Sequence, residues 1–421
     1  MARLETIQFQ PMREVVEEGR IQWKNDKLGR PVANLPQIFW SNGEPWSEVN
    51  HWALMKVTSS VGGHIKTVTS LMKHLGAYAD WLEAEQQDWR HFPERMADRT
   101  IVRFRGELIA QRKRGVIRPS TATVRMLAVI QFYRHAQVYG FVGRQSPMWR
   151  DEAVVLRYHD SVGFQRTLLR MKSELSIPNR ARPGLMLEDG LVALQGRDAQ
   201  ALLKFTANEN LIELHLMLSI GMLTGARIGT ITSISIRNLE DALSDPSMPG
   251  FCRMPVGPGT GISTKFDVSG DLLVPAFLVG TLKSYAYSME RLRRQAHASK
   301  EHRGLLFLTS RGNPYQQSSF NRLMTDLRRR ATAAGLRFMQ TFKFHQTRCT
   351  YGTWLMELAL RVTSQAAAVA FVRDAMLHKD EATTMRYVRF VQQAPVKALI
   401  SNEFTVAFSG ILNRDWNNYH A

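Results

Sequence analysis

Five short segments in the second half of the chain carry side chains suited to one chemistry. Thr224-Gly225-Ala226-Arg227-Ile228-Gly229 follows an apolar stretch. Lys265 stands in ISTKFDVSGDLLVP, and His345-Gln346-Thr347-Arg348 comes next. His378 lies in MLHKDEATT, and Tyr387 follows nine residues later in TTMRYV. Singly, each has an ordinary reading: a surface arginine, a solvated hairpin lysine, a structural histidine, a packing tyrosine. Their order and spacing together point to phosphoryl transfer. Two arginines can grip the non-bridging oxygens of a phosphodiester with forked hydrogen bonds, which lysine does less well. They would stabilise the charge that develops in a pentavalent transition state. A tyrosine hydroxyl, with an unperturbed pKa of about 10, is a poor nucleophile until a base or cations assist it. Nearby imidazoles could take its proton or hydrogen-bond the phosphate. A lysine ammonium could protonate the leaving oxygen. No step in this scheme requires a metal or another cofactor.

Elements must bring these groups together. His345 and Arg348 are three apart and share one face of a helix. His378 and Tyr387 would point to opposite faces of one unbroken helix, since nine steps of about 100° separate them. Lys379-Asp380 offers a break, with Asp380 as N-cap of a new helix over EATTMRYVRF. With that break the two side chains converge. Lys265 is placed at a turn between two extended stretches, FCRMPV and DLLVPAFL, that flank a Gly-rich segment. Helical signals cover Met186–Leu194, Asp198–Lys204 and Glu213–Leu223, and helices fill the remainder to about Leu399. These elements define a second domain over 184–400, followed by a tail over 401–421.

The preceding chain reads differently. Residues 49–145 have a helical period, with Ile65, Val68, Leu71, Met72, Leu75, Tyr78 and Leu82 at three- and four-residue steps. Further helices are expected near Arg99–Arg114 and Thr121–Tyr139, the latter opened by Pro119-Ser120 and closed by Gly140. Residues 146–183 hold Pro147, Pro178 and Pro183 and the run SIPNRARPG, and are expected to be an interdomain linker. Residues 1–48 are expected to be an N-terminal arm or small extension. The fold class is thus mainly α, with one small antiparallel sheet in the second domain.

Composition sets the partner class. The 421 residues include 55 Lys and Arg against 37 Asp and Glu, a formal charge of +18. The excess is shared equally by the two halves, so no isolated basic tail carries it. It concentrates in 101–150, where Arg103, Arg105, Arg112, Lys113, Arg114, Arg118, Arg125, Arg134, Arg144 and Arg150 face a single acid, Glu107. Apolar and aromatic residues alternate with them, as in VRMLAVIQFYRHAQVYGFV. That is a helix with an apolar stripe and a basic face rather than a solvated charge run. We take Arg103, Arg105, Arg112, Lys113, Arg114, Arg118 and Arg125 as candidate DNA-binding residues. Nucleic acid is the leading partner for such a field, ahead of anionic lipid or acidic protein. Cys252 and Cys349, 97 residues apart, exclude a disulfide framework and any CxxC zinc pattern and fit a reducing compartment. No run reaches the ~18 apolar residues of a membrane span. The first residues contain no apolar signal-peptide core. A cytoplasmic protein is expected, associated with the bacterial nucleoid.

With these segments in order, the sequence resembles the tyrosine recombinase (phage integrase) family. TGARIG is similar to the family's TG-x-R-I segment, and TKFDVSGDLLVP to its hairpin lysine and following strand. FHQTR matches the H-x-x-R box. The second histidine and the nucleophile correspond to LH-x8-Y, with ATTMRYV close to TT-x-x-Y. The resemblance runs through 184–400 by motifs and reaches 49–145 through the basic helical character of a core-binding domain. It implies a C-shaped clamp of two domains on double-stranded DNA, and a homotetramer acting on two sites, with accessory DNA-bending or partner proteins possible. It also implies roles. Arg227 and Arg348 would clamp the scissile phosphate, and Lys265 would protonate the 5′-oxygen. His345 and His378 would serve proton transfer and phosphate binding. Tyr387 would attack to give a 3′-phosphotyrosine without ATP. In the family, a tail such as the one after Tyr387 often packs on a neighbouring protomer; here a self-packed tail is the equal alternative.

The sequence departs from the family at four points. Thr230 stands where an acid is frequent, Leu377 where glycine is usual before His378, and Cys349 where histidine often follows the second arginine. The 29 residues between Arg348 and His378 exceed the expected spacing by a few. Two other readings share the scaffold: a DNA-binding protein that no longer cuts, and a type IB topoisomerase-like enzyme that reseals without exchange. GPGTGISTK lacks the G-x4-G-K-[ST] pattern, and HExxH, GxSxG and EF-hand patterns are absent from the sequence.

Overall fold

In the computed structural model, residues 1–59, 63–159, 165–179 and 186–393 are described. The chain divides into two units, Met1–Arg182 and Pro183–Ala421, each considered by itself.

The first unit opens with strands β1 (Arg3–Phe9), β2 (Met12–Glu17), β3 (Arg20–Asn25) and β4 (Val32–Phe39). Antiparallel pairing joins β1 to β4 and β2 to β3 in separate two-stranded sheets. Four helices follow: α1 (Ser47–Thr58), α2 (Ile65–Ala84), α3 (Thr100–Lys113) and α4 (Pro119–Val138). The helical period legible in α2 is the one that buries: Val68, Met72, Leu75, Tyr78 and Leu82 are all inside. They pack against Phe104 and Leu108 of α3 and Met126, Val129, Phe132 and Tyr133 of α4. Each such buried aliphatic side chain contributes about 1.5–3 kcal/mol relative to exposure. The buried tyrosine hydroxyls are satisfied in series. Tyr78 donates to Tyr133 at 2.7 Å, and Tyr133 donates to the Trp89 carbonyl at 2.6 Å.

Two segments of this unit differ from expectation. Residues 1–48, expected as an arm or extension, supply β4, whose Ile38 enters the helical core. The buried Asn50 side chain of α1 accepts from Ile38 N at 2.7 Å and donates to Ile38 O at 3.0 Å. That one amide gives the inner strand the partners a second sheet neighbour would supply. Residues 146–183, expected as a linker, hold an antiparallel hairpin of β5 (Asp151–His159) and β6 (Gln165–Ser173). Met148, Leu175 and Ile177 at its base are buried in the helical core. Proline punctuation marks the ends of this segment and obscures the alternating strands between.

The second unit begins with a single-turn 3-10 helix over Glu188–Gly190 where a helix over Met186–Leu194 was expected. Asp189 has φ +53°, which breaks any helix there. Next come α5 (Gly196–Asn208), α6 (Ile212–Thr224), α7 (Ile228–Thr232) and α8 (Ile236–Glu240). Strands β7 (Leu243–Ser244), β8 (Phe251–Val256) and β9 (Gly270–Pro275) form one antiparallel sheet in that order. Cys252, Met254 and Val256 alternate inward opposite Val274, Leu272 and Gly270. The expected second extended stretch is shorter than anticipated, because Ala276 starts a helix directly after Pro275. That helix, α9 (Ala276–Ala286), is followed by α10 (Met289–Ala296), α11 (Gln317–Ala333), α12 (Gln346–Val362) and α13 (Gln365–Ala375). A last helix, α14, spans 381–393. The tail over 401–421 lies outside the described residues.

α6 is the central element of this unit. It is buried nearly all round, from Glu213 to Thr224, so its sequence shows no polar face. Its close neighbour is α12. A side chain at Gly221 would meet Thr347 Oγ1 at 2.5 Å, so glycine lets the start of α12 lie against the end of α6. Gly225 closes α6 with φ +67°, a left-handed cap that turns the chain towards Arg227.

Gly225→Ala is expected to destabilise the protein by about 1–3 kcal/mol. The new Cβ would need the left-handed conformation and would lie 2.5 Å from the Tyr351 ring. Urea unfolding measures this, and an unchanged or raised midpoint would contradict the described cap.

Candidate active site

All but one of the candidate side chains of the second unit sit at or near the end of an element; Tyr387 lies within a helix. Arg227 precedes α7, just after the α6 cap. His345 is the residue before α12, and Arg348 lies in its first turn. His378 follows α13, and Tyr387 is the seventh residue of α14. The break between His378 and Tyr387 falls where the sequence placed it, and Asp380 Oδ1 accepts from Ala382 N at 3.0 Å. Both side chains then turn inward, with ring centroids 5.9 Å apart. Lys265 lies in the turn between β8 and β9, and lines a small cavity with Arg227 and Arg348.

These groups converge on a residue that the motifs did not mark, Glu188. Its Oε1 accepts from Arg348 Nε at 2.9 Å, from His378 Nε2 at 2.8 Å and from the Tyr387 hydroxyl at 3.0 Å. Its Oε2 faces Arg227 Nη2 at 3.3 Å and His345 Nε2 at 3.4 Å. Five of the six candidate positions therefore touch one carboxylate, and Lys265 stands nearby without touching it. Glu188 was missed because the acids of LMLEDGL match no motif spacing. The contact with Arg348 spans 160 residues of chain.

Arg348 is the most enclosed charge of the group, with a side chain only 3% exposed. Nη1 donates to Gly225 O and Nη2 to Met376 O, both at 2.7 Å. Its three contacts tie the α6 cap, the end of α13 and the Glu188 turn to the first turn of α12. Further bonds hold that segment. Thr350 Oγ1 accepts from Leu194 N at 2.9 Å, and Gln346 Nε2 donates to Val192 O at 3.1 Å. Leu187 anchors the turn from the other side, fully buried among Cys349, Met356, Val372 and Tyr387.

The electrostatics follow from burial and these partners. Burial alone would raise the Glu188 pKa. The facing imidazoles of His345 and His378 and the charge of Arg348 outweigh it and hold the carboxyl well below the usual carboxylate range. Glu188 is thus an acceptor only, so His378 must donate through Nε2. In the neutral ring Nδ1 then accepts from Thr384 Oγ1, 2.8 Å away. This gives the second threonine of ATTMRYV a physical task. Burial also lowers the His378 pKa, against the pull of Glu188. Tyr387 is fully buried, and burial first, then the Glu188 charge, push its pKa far above the phenol value. Cys349 beside it is raised to about 12, chiefly by burial. Its thiol is a protonated packing group at neutral pH.

The departures from the family pattern have structural consequences. Leu377 adopts φ +54°, the left-handed region that glycine occupies at no steric cost. Its side chain lies against β9, where a Cβ on Gly270 would be 2.5 Å from it. Gly352 makes room for the nucleophile candidate: a Cβ there would lie 2.6 Å from both Met376 Cε and the Tyr387 ring.

The basic set of the first unit is mixed. Arg105 Nε donates to Leu175 O at 3.1 Å and Arg112 Nη1 to Pro178 O at 3.4 Å, so both hold the chain after the β5–β6 hairpin. Arg103 bonds Gln87, and Arg114 pairs with Glu107 at 2.9 Å. Arg125 is half-buried, with a pKa lowered by burial. Lys113 and Arg118 are exposed. The row of cations legible in the sequence is in part a set of structural ties.

Residues 276–393 match the phage integrase family model. This stretch contains His345, Arg348, His378 and Tyr387. Arg227, Lys265 and Glu188 fall before the matched stretch. No curated protein matches. Among solved structures, the chain is similar to the XerH site-specific recombinase bound to palindromic difH substrate, at 14% identity, TM-score 0.49 and 80% coverage of both chains. It is also similar to the Tn1549 transposon integrase in complex with transposon right end DNA, at 12% identity and TM-score 0.49, covering 84% of this chain and 99% of that one. A lambda integrase dimer bound to a core site is a further neighbour, at 12% identity and TM-score 0.46, covering 81% of this chain and 94% of that one. No helix among the described residues is long and apolar enough to cross a membrane.

Stability should carry the signature of Glu188. Its folded pKa lies below the ordinary value of 4.5. The stability it contributes is therefore complete above that pH and is lost as pH falls below it. Urea unfolding of wild type and Glu188→Gln, from about pH 7 down to about pH 3.5, should show a wild-type advantage that shrinks on the acid side. A gap that stays constant or widens there would contradict the described ionic cluster.

Proposed function

We propose that this chain is a site-specific DNA recombinase of the tyrosine type, cutting and rejoining duplex DNA through a 3′-phosphotyrosine link. The observation that carries the reading is the convergence of Arg227, Arg348, His345, His378 and Tyr387 on one monoanion. A phosphodiester is also a monoanion with two exposed oxygens, and could take the same five partners. Arg227 and Arg348 would hold its non-bridging oxygens, where charge grows as phosphorus becomes pentavalent. Tyr387 Oη would form the new bond to phosphorus as the bond to the 5′-oxygen breaks. His345 or His378 would receive the phenolic proton. Lys265, beside the two arginines, would deliver a proton to the departing 5′-oxygen. The phosphotyrosine conserves the ester, so the 5′-hydroxyl of another strand could attack it in reverse.

The remaining parts of the reading follow from the family. The basic first unit would join the second in clamping DNA, and four copies would act on two sites, in the cytoplasm and in contact with the nucleoid. Accessory proteins would bend the DNA or set direction. The ties that occupy Arg105 and Arg112 favour Lys113 and Arg118 as the phosphate contacts of α3 and α4.

Covalent capture tests the chemistry. Purified protein incubated with duplex DNA from the flanks of its own gene, in EDTA, should yield an SDS-resistant adduct through the 3′-phosphate. Tyr387→Phe should abolish the adduct and leave specific binding intact. An adduct that survives this change would refute the nucleophile assignment. Specific binding by wild type without an adduct, even with paired sites present, would favour a DNA-binding protein that does not cut. Binding should also weaken steeply with salt, by ~10³–10⁵-fold between about 50 and 200 mM if six to ten phosphates are contacted. A nearly flat salt titration would count against a clamp.

A further inference from the structure

We propose that Glu188 is an internal occupant of the phosphate site, a carboxylate that fills the anion pocket until DNA displaces it. The inference rests on the reading of that pocket as the seat of the scissile phosphate.

Three observations support it. First, the carboxylate takes up donors a phosphodiester would need, both arginines, His378 and the tyrosine, and lies 3.4 Å from His345 Nε2, a buried atom that has no hydrogen-bond partner among the described residues. Carboxylate and phosphodiester carry the same charge and the same paired oxygens, and two such anions cannot share these donors. Second, Glu188 accepts the Tyr387 hydroxyl, so the tyrosine keeps its proton while the carboxylate is seated. Occupancy thus blocks the phosphate and silences the nucleophile in one contact. Third, the occupant comes from a short turn rather than a long element. Asp189 has φ +53°, and three backbone bonds close the loop: Leu187 N to Leu191 O at 2.8 Å, Leu191 N to Glu188 O at 3.1 Å and Gly190 N to Leu187 O at 3.4 Å. Reopening that turn withdraws the Glu188 side chain and leaves Arg348 its carbonyl partners, Gly225 O and Met376 O.

An internal competitor raises the apparent dissociation constant by the inverse of the fraction of time the pocket is open. If the pocket is open about one-tenth of the time, removing the competitor tightens anion binding about tenfold.

Inorganic phosphate is the probe, with the full-length chain as wild type, Glu188→Gln and Glu188→Asp. Calorimetric titration and thermal unfolding in phosphate should show about tenfold tighter binding to Glu188→Gln than to wild type. Glu188→Asp, with the same charge and a shorter reach, should fall between them. Adding Arg227→Ala to Glu188→Gln should remove the gain, which assigns it to this pocket. If Glu188→Gln folds only in phosphate, that dependence is itself the predicted gain. Equal or weaker phosphate binding by Glu188→Gln would overturn the proposal and leave Glu188 as a fixed positioning group for the arginines. Covalent capture separates this result from the recombinase reading. An adduct in wild type without a phosphate gain in Glu188→Gln sinks the occupant alone. A phosphate gain with no adduct from wild type or Glu188→Gln sinks the recombinase reading and keeps the occupant.

Discussion

The second unit is organised around the buried guanidinium of Arg348. A charge in that position is tolerated only if every donor finds an acceptor, because an unpaired buried ion costs several kcal/mol. Its acceptors are the Gly225 and Met376 carbonyls and the Glu188 carboxylate. Each comes from a different part of the chain: the α6 cap, the end of α13 and the turn before α5. Satisfying one side chain therefore sets where three segments end. Arg227 follows from the first of them and His378 from the second. The glycines at 221, 225 and 352 are the steric counterpart, removing the Cβ atoms that would hold α6, α12 and Tyr387 apart.

Glu188 gives this assembly its electrostatic balance. Two arginines side by side repel, and Arg348 contributes to lowering the Arg227 pKa after burial itself. One carboxylate between them offsets that repulsion and also receives the His378 imidazole and the phenol. The resting site is thus ordered, with the donors already aimed at one anion. Pre-alignment of this kind lowers the reorganisation a reacting phosphate would demand. It also requires the resting anion to leave. Stability of the resting state and access for a substrate are opposed at a single side chain.

Much of this site was legible in the sequence because its motifs are local. His345 and Arg348 lie within one helical turn, and the break at Lys379-Asp380 is local capping chemistry. Lys265 was placed in its turn by the alternating strands on either side. The same local signals read most of the buried face of α2, though Ile65 and Leu71 are only half-buried. Local signals failed where tertiary contacts decide. Residues 186–194 look helical by composition, yet Leu187 is drawn into one core and Glu188 into the arginine pair, and the backbone yields at Asp189. The prolines around 146–183 suggested a linker, while the strands between them pair with each other. Arg105 and Arg112 read as free cations because their carbonyl partners lie 70 and 66 residues away.

The sequence by itself determined the chemical inventory: which residues could transfer a phosphoryl group, their order, and the short-range geometry within each motif. These properties depend on helix period, capping and side-chain pKa, all of which act over a few residues. Tertiary structure alone decided that a single acid outside every motif stands at the centre, and that Arg105 and Arg112 are tied to carbonyls far along the chain. Such features arise from contacts across up to 199 residues of chain. No local pattern encodes them, because buried ions find their partners by folding rather than by spacing.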